Sequence, residues 1–133
     1  MKRFPLFVAP LALIALSACN EQTNSTPSVS KAPAAKVVGE AEDCIPIVSI
    51  SSTAVHDDRT IDFKAGSRIY RNTLPYSCPQ LGLEQAFTYE TSLSRLCSTD
   101  IIYVLHNYGG SLNRGAGCGL GKFVPVELEK KRN

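Results

Sequence analysis

Two histidines are the only imidazoles in the chain, and each stands beside groups that could put it to use. His56-Asp57-Asp58 sets an imidazole next to two carboxylates, the makings of an acid/base or metal site. Successive residues on a strand face opposite ways, so these three converge only within a turn. Asp57-Asp58-Arg59-Thr60 reads as that turn, joining two strands with Asp side chains accepting from backbone N–H groups. His106-Asn107-Tyr108 precedes Gly109-Gly110, where a strand gives way to a loop, and a solvated histidine is expected there. Any Ser-His-Asp or Cys-His scheme must use His56 or His106. No Gly-x-Ser-x-Gly turn is present, and the thiols are expected to be oxidised. No catalytic residue is assigned; a hydrolase using His56 or His106 stands as an alternative.

The run Gly115-Ala116-Gly117-Cys118-Gly119-Leu120-Gly121-Lys122 invites comparison with a phosphate loop. Ala116 stands where a Walker-type loop needs its first Gly, and Phe123 where it needs Ser or Thr. No helix follows to hold a pyrophosphate, so a dinucleotide site fails as well. Glycines around Cys118 are better explained as room for a disulfide and a turn into the last strand. No cofactor is expected. The remaining inventory is Arg59, Arg68, Arg71, Arg95 and Arg114 with Tyr70, Tyr76, Tyr89, Tyr103 and Tyr108. Arg68, Tyr70, Arg71 and Tyr103 are the candidate binding residues. By strand parity Tyr70 shares a face with Arg68 and not with Arg71. A mixed Tyr/Arg surface suits protein or glycan contact, and scattered solvated charges would look the same.

The elements that must position these residues read as strands. Ile45–Val55 is rich in Ile, Val, Ser and Thr; Thr60–Phe63 and Arg68–Arg71 alternate; Lys64-Ala65-Gly66-Ser67 between them reads as a hairpin turn. Phe87–Tyr89, the apolar run Ile101–Leu105 and Lys122–Val126 complete six short strands, the last marked as an edge by Pro125. Leu81–Ala86 and Ser92–Leu96 have room for no more than a helical turn. An all-β fold follows, a small antiparallel barrel or sandwich.

Residues 44–126 hold Cys44, Cys78, Cys97 and Cys118, near the lower size limit for an unaided core. Two disulfides are expected. Gaps of 33, 18 and 20 intervening residues lack the close pairing of zinc ligands, so no metal site is expected. If Ile101–Leu105 and Phe123–Val126 pair as a hairpin, Cys97 and Cys118 lie at opposite ends, too far apart to bridge. Of the two remaining pairings, Cys78–Cys97 with Cys44–Cys118 is preferred over Cys44–Cys97 with Cys78–Cys118, because it closes a local loop and ties the first strand to the last.

The chain opens with Lys2-Arg3 and runs apolar from Phe4 to Leu16, a cationic-then-apolar pattern too short to span a bilayer. Leu16-Ser17-Ala18-Cys19 resembles the bacterial lipobox, which implies cleavage after residue 18 and lipid on Cys19. Asn20 then points, by analogy with lipoprotein sorting, to the periplasmic face of the outer membrane. Residues 19–43 are Thr, Ser, Pro, Ala, Lys, Gln and Glu with few large apolar side chains, the composition of a flexible tether. A tether of about 24 residues would hold the domain roughly 25–30 Å from the lipid. Residues 127–133 read as a charged tail. The 133 residues carry 14 Lys+Arg against 12 Asp+Glu. Loss of Lys2 and Arg3 with a leader leaves 12 against 12, with no electrostatic footprint for nucleic acid.

Val55–Phe63, Tyr70–Leu74, Cys78-Pro79-Gln80-Leu81, Leu96–Ile102 and Gly117–Phe123 together resemble a domain-of-unknown-function family of small secreted bacterial proteins, a likeness that spans nearly all of the folded part and implies no activity. Ser67-Arg68-Ile69-Tyr70 loosely resembles the Ser-x-x-Tyr element of C-type lysozyme inhibitors, whose second motif, Tyr followed by Thr-Lys-Gly, is absent here. The expected function is a noncatalytic, lipid-anchored envelope protein that binds another envelope protein or a glycan. The alternatives are an inhibitor of lysozyme or a related wall hydrolase, and the hydrolase named above.

Overall fold

A computed structural model describes residues 29–130. The leader, Cys19 and the final three residues lie outside that range.

The fold is all-β, with ten strands in three antiparallel sheets. One sheet has the order β1-β10-β5-β4-β3, formed by Ala35–Val37 (β1), Phe123–Leu128 (β10), Arg68–Thr73 (β5), Thr60–Ala65 (β4) and Ile50–Val55 (β3). A second pairs Cys44–Pro46 (β2) with Arg95–Cys97 (β7). The third has the order β6-β8-β9, from Phe87–Tyr89, Ile101–Tyr108 and Ser111–Gly119. A single helical turn, α1, spans Leu81–Glu84. The sheets do not close into a barrel.

The β4–β5 hairpin forms as its residues dictate. Gly66 takes φ +60° in the turn, a value costly for a residue with a Cβ, and the ladder runs in unbroken register from Ala65↔Arg68 to Thr60↔Thr73. Its inner face supplies Ile61, Phe63, Tyr70 and Asn72 to the core. Phe63 meets Phe123 and Phe87 edge-on, with centroids 5.4 Å and 6.0 Å apart. Ile45, Leu96, Ile102 and Val104 close the core from the other sheets, with Leu74 just after β5 and Leu81 from α1.

Several expectations need correction. The expected strand over 45–55 is two strands, because the turn Ile47–Ser49 moves the chain from the β2–β7 sheet to β3. Residues 95–97 form β7 rather than helix, since Leu96 fills the core opposite Ile45. Ile101–Leu105 pairs with β9, not with the last strand: the glycine-rich run is itself a strand. The last strand lies between β5 and β1, so Pro125 is internal, seated where β1 ends. Order also begins before Cys44. Ala35–Val37 pairs with Val126–Leu128, and Ser30–Pro33 lies against the outer face of the sheet, so the segment expected as a tether is partly built into the fold.

The disulfides are Cys44–Cys97 and Cys78–Cys118. The preferred pairing is therefore wrong and the other one holds. Cys44 and Cys97 face each other across β2 and β7, a strand pair that the expected layout lacked. Cys118 lies in β9, next to Ile102 of β8, and reaches Cys78 in the core. The exclusion of Cys97–Cys118 stands, though the hairpin it was argued from does not form. The two bridges take up the sulfurs of Cys44, Cys78, Cys97 and Cys118.

Candidate functional site

The structure separates the four candidate binding residues. Tyr70 is buried on the core face of β5 and its hydroxyl donates to Glu42 Oε1 at 3.3 Å. Arg71 points the other way, and its guanidinium is spent on Asp62, with Nε to Oδ1 and NH2 to Oδ2 both at 2.8 Å, while NH1 donates to Pro33 O. Arg68 is exposed at the start of β5, beside Val38 and Pro125. Tyr103 lies on a different sheet.

The Asp62–Arg71 pair is joined by His56, whose Nε2 lies 2.9 Å from Asp62 Oδ2. Register explains the cluster. Asp62 and Arg71 are directly opposite across β4 and β5, and the His56 N–H donates to Thr60 O, which puts Asp62 on the diagonal from His56. Burial works against the Asp62 charge, but the hydrogen bonds from Arg71 and His56 overcome it and hold the carboxyl below its usual range. A two-residue turn at Gly66-Ser67 fixes Asp62 opposite Arg71, so this pair could have been read from the hairpin alone.

Next to His56 the expected turn is present, and it does more than turn the chain. Asp57 accepts from Arg59 N–H, from Ser30 Oγ and from Lys31 N–H, and Asp58 accepts from Gly82 N–H at 2.8 Å. Burial opposes the Asp57 charge and these donors outweigh it, so its carboxyl is also held low. Arg59 gives Nε and NH2 to Leu74 O. The open cleft here, about 570 Å³, is lined by Lys31, His56, Asp57, Asp58, Ser77 and Gln80 among others. Its carboxylates and Arg59 are already satisfied. The only hydrogen bonds of His56 among the described residues run to Asp62 and the Thr60 carbonyl, so neither Ser30 nor Ser77 stands as a nucleophile on the ring. Among the described residues no three His, Cys, Asp or Glu side chains gather as a metal would need.

His106 is not the solvated loop residue expected. It belongs to β8, its Nδ1 is 2.9 Å from Glu84 Oε1 on α1, and Tyr108 stacks on it at 5.6 Å. Both histidines are thus bound to carboxylates as parts of the framework.

The outer face of the β6-β8-β9 sheet is different. Ile102 and Val104 point inward and are buried, whereas Ile101, Tyr103 and Leu105 alternate outward. Gly117 is the partner of Tyr103, and a Cβ there would stand 3.0 Å from the ring, so the tyrosine lies low across the strand. Arg114 caps that ring at 4.6 Å and donates to Glu90 Oε1 at 2.7 Å. The hydrogen bond to Arg114 keeps the Glu90 carboxyl below its usual range. Ile101 and Leu112 stay open beside the stack, at 46% and 67% exposure. Both parts of the stack were in the inventory of the sequence, but its pairing depends on β9, which glycine content concealed. No protein-family model, curated protein or solved structure matches the chain.

Proposed function

We propose that this protein is a noncatalytic, lipid-anchored envelope protein that binds another envelope component through the outer face of β6-β8-β9. The observation that carries the reading is the Tyr103–Arg114–Glu90 stack, solvent-facing and flanked by exposed Ile101 and Leu112. Aromatic and guanidinium groups with adjacent aliphatic surface are the chemistry of contact sites, and a tyrosine pressed onto a glycine strand loses little freedom on binding. The two disulfides support an oxidising, extracytoplasmic setting. Attachment through Cys19 and an outer-membrane address rest on the leader sequence. Cys19→Ala should release the protein from the membrane fraction, and unchanged association would remove the lipid from the reading.

The binding surface is tested by crosslinking the chain to solubilised envelope and repeating with Tyr103→Ala and Arg114→Glu. One dominant captured molecule, lost with both variants while the circular dichroism is retained, is expected. Equal capture by parent and variants, or sustained turnover of an envelope substrate, would overturn the proposal. The inhibitor reading is left with less to work with: in the Ser67–Tyr70 element Ser67 and Arg68 are exposed, but Tyr70 is buried. Failure of the protein to slow lysozyme at stoichiometric excess disposes of it.

A further inference from the structure

The free edge of β3 carries no charge and no proline, and beyond a register shift between Ile50 and Ser52 its pairing with β4 is regular. Among the described residues nothing pairs with its outer side, and Ser51, Ser52, Thr53 and Ala54 are exposed. The run Ile50-Ser51-Ser52-Thr53-Ala54-Val55 holds no charge, no proline and no glycine, and Ser52–Val55 stays in unbroken register with β4. Proteins usually blunt such an edge with Lys, Pro, a bulge or brevity. The other edges follow that practice. β1 has three residues with Lys36 at its centre, β6 has three, and β9 carries Arg114.

We propose that β3 is a self-association edge: a second copy of this chain adds its own β3 antiparallel, joining two five-stranded sheets into one. The absence of charge along the strand favours this occupant. A two-fold pairing sets each residue against one from the same strand, so a charged edge risks opposing like charges, and this strand has none to oppose. The ladder fixes the register. His56 N–H donates inward to Thr60 O, and alternation then turns the N–H and C=O groups of Thr53 and Val55 outward. Two copies satisfy those groups when Thr53 of each bonds Val55 of the other, which places the axis at Ala54. Small side chains at Ser52 and Ala54 leave the approach open. The dimer displays two copies of the β6-β8-β9 face, yet the pairing does not depend on what that face binds.

The register makes the test specific. With the axis at Ala54, an Ala54→Cys variant of the full chain should form an intermolecular disulfide, because facing Cα atoms of such a pair lie about 4.5 Å apart. Ser52→Cys should not, because its two copies lie about 13 Å apart along the strands. Peptide mapping confirms that the native disulfides are unchanged. Thr53→Pro removes an N–H that takes no part in the β3–β4 ladder, so the circular dichroism should be retained while the dimer dissociation constant rises at least about tenfold. Dimeric sedimentation across the micromolar range, crosslinking at 54 alone and loss with Thr53→Pro are expected. A monomer at every concentration, equal crosslinking at 52 and 54, or a dimer indifferent to Thr53→Pro would each overturn the proposal.

Discussion

One carboxamide joins Asn72 to Gly121, 49 residues further on: Nδ2 donates to Gly121 O at 2.7 Å, and Gly121 N–H donates to Oδ1 at 2.8 Å. Asn72 is fully buried near the end of β5, and Gly121 lies in the connection from β9 to β10, so this ring ties the glycine-rich strand to the larger sheet. Gly121 is required there for space, since a Cβ would strike the carbonyl oxygen of Thr73.

Asn72→Ala should therefore cost about 2–4 kcal/mol, because it leaves a buried N–H and C=O without partners and opens a small void. Gly121→Ala should cost about 2 kcal/mol or more by forcing the connection away from Thr73. Urea unfolding measures both. A loss under about 0.5 kcal/mol in Asn72→Ala would show that water serves the backbone groups equally well.

Gly66 announced the β4–β5 hairpin, and Asp57-Asp58-Arg59 announced the turn from β3 to β4, because both depend on local backbone chemistry. The strands β1, β7 and β9 were not legible. Ala35–Val37 is ordered only by pairing with β10, Leu96 by the core, and the glycines of β9 disfavour a strand until Tyr103 and His106 are laid over them. The error in disulfide pairing followed from the missing β9 and β7. The His56–Asp62–Arg71 cluster is not evident from the carboxylates adjacent to His56, because strand register delivers the one six residues away.

Non-reducing digestion should release Cys44–Cys97 and Cys78–Cys118 peptides. Loops of 53 and 40 residues imply about 4 kcal/mol of loop-closure stabilisation for each bridge. Cys78→Ala/Cys118→Ala should lower stability more than Cys44→Ala/Cys97→Ala, because Cys78 is wholly buried in the shared core while Cys44 and Cys97 are half-buried. The reverse order in denaturation midpoints would count against that division.

Gly115 leaves the space that the His106 ring occupies, since a Cβ there would collide with Nε2. Gly115→Ala should displace the ring, break its contact with Glu84 and cost about 1–3 kcal/mol. Adding His106→Ala removes the collision, so the double variant should be more stable than the sum of the two single losses by at least about 0.5 kcal/mol. Strict additivity in thermal or urea unfolding would mean that the ring already moves aside.

Asp62 should govern the acid end of the stability profile. Its carboxyl is almost buried, which disfavours the charge, and the Arg71 fork with His56 more than reverses that, so the folded pKa lies below the unfolded one, about 3.9. The unfolded chain then binds the proton first as pH falls. The contribution is complete above about pH 5 and drains away as acid carries the protein through the lowered folded pKa. Asp62→Asn should lose about 2–3 kcal/mol at neutral pH, because Arg71 keeps its charge but loses the balancing carboxylate and one of the two oxygens its fork binds, leaving one neutral carboxamide oxygen and Pro33 O as acceptors. It should also show a shallower fall in stability below about pH 4, since the group that titrates has gone. Urea unfolding of parent and variant across that range reads both effects, and parallel curves would assign the acid sensitivity to another carboxylate, with Asp57, held low by Ser30, Lys31 and Arg59, the first to replace.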